Sequence, residues 1–179
     1  MGKPNIRRLL GTALLRLFRV RVAIPNEARQ KITRGRVVVC ANHVSLLDGL
    51  LIALASPTPL TFGVDTDFSR RNPFTANGMA VLSRLGFGWV VPLDPSAPFG
   101  ILRLKRALDA GRAVMLFPEG RISVDGLPQP LMPGLSWLIR TTGAEPVWVN
   151  IRGAEQSRLF AKSGSQIWPR IHLEFGNPA

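Results

Sequence analysis

The sequence predicts an α/β domain: a largely parallel or mixed sheet flanked by helices, preceded by an N-terminal amphipathic basic helix. Three observations carry this. Short apolar runs alternate with helix-like segments of about ten or more residues, the pattern of strands joined by crossover helices. The 17 glycines and 15 prolines imply many turns. The 179 residues, 46% of them hydrophobic, suit one domain with a sizeable core.

Taken in order, Ile6, Leu9, Leu10, Ala13, Leu14, Leu17 and Phe18 recur at helical spacing, with Arg7, Arg8, Arg16 and Arg19 mainly off that stripe. Two roles fit this helix. It lies in the interface of an anionic bilayer, or it packs on its own domain with solvated arginines. Arginines interrupt the stretch, so it lacks a signal-peptide layout. No run of about 18 apolar residues offers a spanning helix. Pro25 and the charged stretch Asn26–Arg36 read as a linker or turn. This divides the chain into an N-terminal membrane-associating segment and linker, 1–36, and an α/β domain, 37–179.

Val37–Ala41 reads as a buried strand, and Ser45–Ala55 as a helix ended by Ser56-Pro57-Thr58-Pro59. Leu60–Val64 is a short strand. Pro73–Leu85 is helical, with Pro73 near its first turn. Trp89–Leu93 is a strand, and Pro98–Ala110 an amphipathic helix closed by Gly111. Ala113–Phe117 is a strand, Pro133–Thr142 a helix closed by Gly143, and Val147–Arg152 and Ile171–Phe175 are the last two strands.

Charge is uneven. The formal net charge is +12, yet residues 1–36 hold ten of the 23 Lys/Arg and only one of the 11 acids. The basicity is therefore mostly N-terminal and points to an anionic partner, membrane surface or nucleic acid. Against nucleic acid, that segment has only Phe18 as an aromatic, the chain has no tyrosine, and no recognition motif is present. The single cysteine, Cys40, excludes an internal disulfide and sits in an apolar strand, where packing is its expected role.

In a parallel sheet, a site gathers beyond the C-terminal ends of the strands. Two loops fit that rule. The first is Asn42-His43-Val44-Ser45 with Asp48 beyond it. His43 and Asp48 form a general-base pair if the histidine lies in the loop and the aspartate in the first turns of the helix. Asn42 or Ser45 can cap that helix. Alternatively, His43 is a surface histidine, with Asp48 favouring the helix dipole. Spacing alone favours the second reading. The other loop is Phe117-Pro118-Glu119-Gly120-Arg121-Ile122-Ser123. Gly120 can take a positive φ, and Arg121 offers a planar fork to phosphate or carboxylate. Alternatively, Glu119 and Arg121 pair with each other. Two distant histidines and one cysteine give no zinc spacing. Ser45 and Ser123 lack a nucleophile-elbow context, and there is no nucleotide-type glycine loop.

Together the two motifs, NHVSLLD and FPEGRIS, resemble the glycerolipid acyltransferase family, which includes the 1-acylglycerol-3-phosphate acyltransferases. The resemblance spans roughly Val37 to Arg152. Val91-Pro92-Leu93-Asp94-Pro95, the FPEGRI segment and Ile151-Arg152-Gly153-Ala154-Glu155 are similar to the acyltransferase half of bifunctional 2-acylglycerophosphoethanolamine acyltransferase/acyl-carrier-protein synthetases. The 179 residues are far too few for the synthetase half as well, so the sequence reads as either a stand-alone enzyme or an excised domain.

The resemblance implies acyl transfer from a thioester on coenzyme A or acyl-carrier protein to a lysophospholipid hydroxyl. It implies His43 as base, Asp48 as its orienting partner, and Glu119, Gly120 and Arg121 as binders of the acceptor's glycerophosphate. Ser45 and Ser123 are lesser polar candidates for substrate contact. Backbone N–H groups near Asn42–Ser45 are expected to meet the oxyanion. No metal and no resident cofactor are implied.

One departure bears on the acceptor. Gly86, Trp89 and Val90 fit the family's second motif, but Pro92 stands where an arginine associated with the acceptor phosphate is usual. This favours a lysophospholipid with a head group over lysophosphatidate. The expected setting is monotopic, on an anionic cytoplasmic leaflet. An acidic carrier protein is a further expected partner, and nucleic acid is not.

Overall fold

The computed structural model describes residues 6–65, 73–93 and 99–176. Among these residues the α-helices are α1 (Ile6–Leu17), α2 (Asn26–Arg34), α3 (Asp48–Ala55), α4 (Pro73–Arg84), α5 (Phe99–Asp109) and α6 (Pro133–Thr142). Seven strands are β1 (Val20–Ala23), β2 (Val37–Ala41), β3 (Leu60–Asp65), β4 (Gly88–Leu93), β5 (Val114–Leu116), β6 (Glu145–Arg152) and β7 (Ile171–Gly176). They form one sheet in the order β1-β7-β6-β2-β5-β3-β4. Every pairing is parallel except β6 with β7, which is antiparallel.

β2 lies between β6 and β5, and all five of its residues are buried. Val37, Val39 and Ala41 face a core shared with α1, α2 and α3, while Val38 and Cys40 face a second core under α5 and α6. A continuous apolar run is what a strand covered on both faces requires. Burial pushes the Cys40 thiol up to about 12, so it remains a packed thiol.

Two expectations for the N-terminal region are corrected. The stretch 26–36, read as a linker, contains α2, whose Ala28 and Ile32 are buried one turn apart. The residues just before it form an unforeseen edge strand, β1, paired in parallel with β7. A third correction is smaller: α3 starts at Asp48, so Ser45 stays in the loop. Asp94, Pro95 and Pro98 lie outside the described residues.

α1 packs on its own domain and still shows an apolar flank. Its inward side carries Leu10, Leu14, Leu15 and Phe18. A Cβ at Gly11 would come within 2.8 Å of the Leu54 carbonyl, so glycine permits this close approach to α3. The Arg7 guanidinium donates to the carbonyls of Ser56 (3.0 Å) and Pro57 (2.7 Å), just past the C-terminus of α3. Ile6, Leu9 and Leu17 remain exposed on the outer side, as do Arg8 and Arg16.

Candidate active site

β2 and β5 are parallel neighbours, with Cys40 opposite Leu116. Their C-terminal ends therefore open on the same edge, and the chain leaving each brings His43 against Phe117. The two rings stack with centroids 3.8 Å apart and planes 10° from parallel. Motifs that are distant in sequence become one site through strand adjacency.

The loop after β2 is held on every side. Beyond the last β2–β6 pair, Ala41 with Val149, the Asn42 side chain continues the ladder. Its Nδ2 donates to the Ile151 carbonyl (2.9 Å) and its Oδ1 accepts the Ile151 N–H (2.8 Å). Asn42 thus ties the loop to β6 rather than capping α3. Asp48 is fully buried, and its Oδ2 gathers three partners: His43 Nδ1 at 2.9 Å, Val44 N at 2.7 Å and Ser45 N at 2.8 Å. His43 keeps 17% side-chain exposure. With Nδ1 donating to the carboxylate, Nε2 is the nitrogen free to take a proton. The geometry brings the pair together, with a buried carboxylate holding a part-exposed imidazole, an arrangement that can orient a general base.

Burial raises the Asp48 pKa above the usual carboxylate range; His43 and the amides of Ser45 and Val44 pull it back. Its other oxygen, Oδ1, is buried without a hydrogen-bond partner.

From Val44 to Asp48 the loop offers no free amide to an oxyanion. The amides of Val44 and Ser45 serve Asp48, that of Leu46 donates to the Phe160 carbonyl, that of Leu47 to Ser45 Oγ, and that of Asp48 to the Ser45 carbonyl. All are occupied. Ser45 itself is fully buried, so its hydroxyl serves the loop.

The loop after β5 turns at Phe117–Gly120, where the Gly120 N–H donates to the Phe117 carbonyl and Gly120 adopts φ +70°. A Cβ there would be strained and would sit 3.2 Å from Met132 Cγ. Glu119 is buried, and its Oε2 has no hydrogen-bond partner. Desolvation raises its pKa first; the backbone N–H groups of Gln129 and His43 lower it, and Asp48 raises it again. Arg121 is exposed and donates to Gln129 Oε1 at 3.2 Å. Among the described residues no ion pair joins Arg121 to Glu119. Ser123 Oγ lies 2.9 Å from Asp125 Oδ1 and 3.0 Å from the Leu127 carbonyl, which shapes the loop beyond.

A third segment, after β6, clasps both loops, and nothing in the sequence pointed to it. Besides the Leu46–Phe160 bond, Lys162 Nζ donates to the Ile122 carbonyl (2.9 Å) and Ser163 Oγ to the Val124 carbonyl (2.6 Å). The loops also touch directly, the Ser123 N–H donating to the His43 carbonyl at 2.7 Å.

Comparison with known proteins places this arrangement. The fold is similar to that of the 1-acyl-sn-glycerophosphate (LPA) acyltransferase PlsC from Thermotoga maritima, with a TM-score of 0.64 over 97% of this chain and 67% of that one. At 20% identity, that likeness speaks to the fold. The family model for acyltransferases matches residues 19–149, most of the chain and both loops of the site. That match includes His43 and Asp48 at the open edge of the sheet, and the chain belongs to the acyltransferase family.

Proposed function

We propose that the chain is a lysophospholipid O-acyltransferase that moves a fatty acyl group from a thioester to a glycerolipid hydroxyl. The observation that carries this is the Asp48-bound, part-exposed His43 beside a loop with an exposed guanidinium and a buried carboxyl. His43 Nε2 takes the hydroxyl proton as the oxygen attacks the thioester carbonyl, and Asp48 stabilises the imidazolium. The new ester forms as the C–S bond breaks, and the imidazolium returns the proton to the departing thiolate. Glu119, Gly120 and Arg121 bind the acceptor's glycerophosphate. The donor is acyl-coenzyme A or an acyl-carrier protein, and no resident cofactor takes part.

The acceptor we favour is of the 2-acylglycerophosphoethanolamine type. Pro92 supports it: in β4, opposite Val64, this proline occupies the place of an arginine that would suit a terminal phosphomonoester. The second reading is a phosphatidate-forming 1-acylglycerol-3-phosphate acyltransferase, favoured by the likeness to PlsC.

Both substrates carry long chains, so the enzyme works at a membrane. No helix among the described residues is long and apolar enough to cross one. The exposed Ile6, Leu9 and Leu17, beside Arg8 and Arg16, suit a helix lying on an anionic leaflet, which we assign to the cytoplasmic face. The test is an acceptor panel, lysophosphatidate against lysophosphatidylethanolamine and other lysolipids, with both donor types. Fastest turnover on a head-grouped lysolipid is expected; thioester consumption with none of them would overturn the reading.

A further inference from the structure

We infer that the loop 124–132, beyond the active-site turn, is a second membrane-docking surface that sets the mouth of the site into the lipid interface. This rests on the lysophospholipid reading above but, Arg121 apart, involves residues that the proposed chemistry does not use.

Four large apolar side chains, Val124, Leu127, Leu131 and Met132, stand out of this one loop, each between 54% and 61% exposed. Large side chains scattered singly over a surface need no explanation; four within nine residues, next to a site, do. The backbone matches the side chains. Pro128 and Pro130 have no N–H to satisfy. The Leu127 N–H donates to Asp125 Oδ1, the Met132 N–H to the Pro118 carbonyl, and that of Gln129 faces the Glu119 carboxyl. With no N–H at Pro128 and Pro130 and the amides of Leu127, Gln129 and Met132 engaged, five of the loop's nine backbone positions present no free donor to an apolar medium.

Charge and continuity identify the occupant. Arg121, bonded to Gln129, and Lys162, bonded to the Ile122 carbonyl, are exposed beside the loop, a basic rim suited to anionic head groups. The surface also runs on to α1. Ser163 Oγ holds the Val124 carbonyl, Phe160 lines a small cleft with Phe18 and Trp168, whose rings stack, and Trp168 Nε1 donates to the Leu17 carbonyl. Along this path Leu159, Ile167 and Trp168 are exposed as well. A tryptophan with an apolar face and a bound N–H suits the head-group layer. A folded soluble partner such as a carrier protein would find the basic rim but has no call on the leucines. The bilayer accounts for both.

The chain offers a clean test, because its one cysteine is fully buried. Leu131→Cys, carrying an environment-sensitive thiol fluorophore, is mixed with vesicles of phosphatidylglycerol and phosphatidylcholine in equal parts. The expected result is a blue shift and quenching by lipids brominated in their acyl chains. The triple variant Leu127→Ser/Leu131→Ser/Met132→Ser should lose about tenfold or more in vesicle partitioning while keeping wild-type turnover on a short-chain, monomeric acceptor. A fluorophore that stays in water, whether or not the protein pellets with the vesicles, overturns the inference, as does a response to carrier protein alone. If instead the fluorophore embeds but no lysolipid is acylated, the docking surface stands and the substrate reading falls.

Discussion

The two loops that meet at the site are built in opposite ways. In the loop after β2 each amide from Val44 to Asp48 is engaged, and Asn42 and Asp48 are bonded in several directions. In the loop after β5, Arg121 and four apolar side chains face outward, and Glu119 holds an unpartnered oxygen. The first loop is fixed by its own bonds, Asp48 Oδ1 excepted, whereas the second turns more of its groups outward. Proton handling demands sub-ångström placement before substrate arrives. Lipid capture tolerates an open, adaptable surface. Changes in the first loop should therefore strike turnover, and changes in the second should strike binding.

The largest effect is expected from Asp48→Asn. The amide oxygen can still receive the Val44 and Ser45 amides, but the charge that stabilises the imidazolium is gone, so turnover should fall about a thousandfold or more. Stability should move the other way. Because burial raises the Asp48 pKa in the folded chain, the stability associated with its protonated form is complete in strong acid and lost as pH rises through the folded pKa. At neutral pH the Asn variant should unfold above the parent, and the gap should close in acid; thermal melts across pH check this. A variant that melts well below the parent at neutral pH would mean that Asp48 is chiefly a structural anchor.

Asn42→Ala comes next. It leaves the Ile151 N–H and carbonyl without their side-chain partner, at a cost of about 1–3 kcal/mol. Turnover should fall tens-fold with little change in acceptor KM, since the histidine loop loses its tie to β6. A variant changed only in KM would move Asn42 to the open half of the comparison.

Arg121→Ala tests that open half. Stability should stay within about 0.5 kcal/mol of the parent, as for an exposed side chain, while the acceptor KM rises about tenfold and the donor KM does not. A rise in donor KM alone would assign Arg121 to the thioester. Lys162→Met should have the smallest effect, a few-fold loss of kcat/KM, because the Ser163 and Phe160 contacts still hold the clasp. Steady-state kinetics at saturating donor resolve it.

Legibility in the sequence follows the same physics. β2 and α6 are readable because burial demands continuous or periodic apolar residues, as in Val37–Ala41 and Pro133–Thr142. α2 and β1 are not. α2 buries only Ala28 and Ile32 among charged neighbours, and β1 is an edge strand with Val20 alone buried. Asp48 and His43 are visible as a pair, but their meeting depends on the chain reversing between them, which spacing cannot specify. The role of Asn42 is hidden because its partner, Ile151, is 109 positions away. The clasp by Lys162 and Ser163 is likewise long-range, and its residue types carry no signal of their own.

The central claim is that His43 is the base. The direct measurement is acyl transfer to a lysophospholipid by a His43→Ala protein whose melting temperature and vesicle binding match the parent. The account predicts turnover reduced about a thousandfold or more, with both KM values little changed. Near-parental turnover in that folded variant would contradict it.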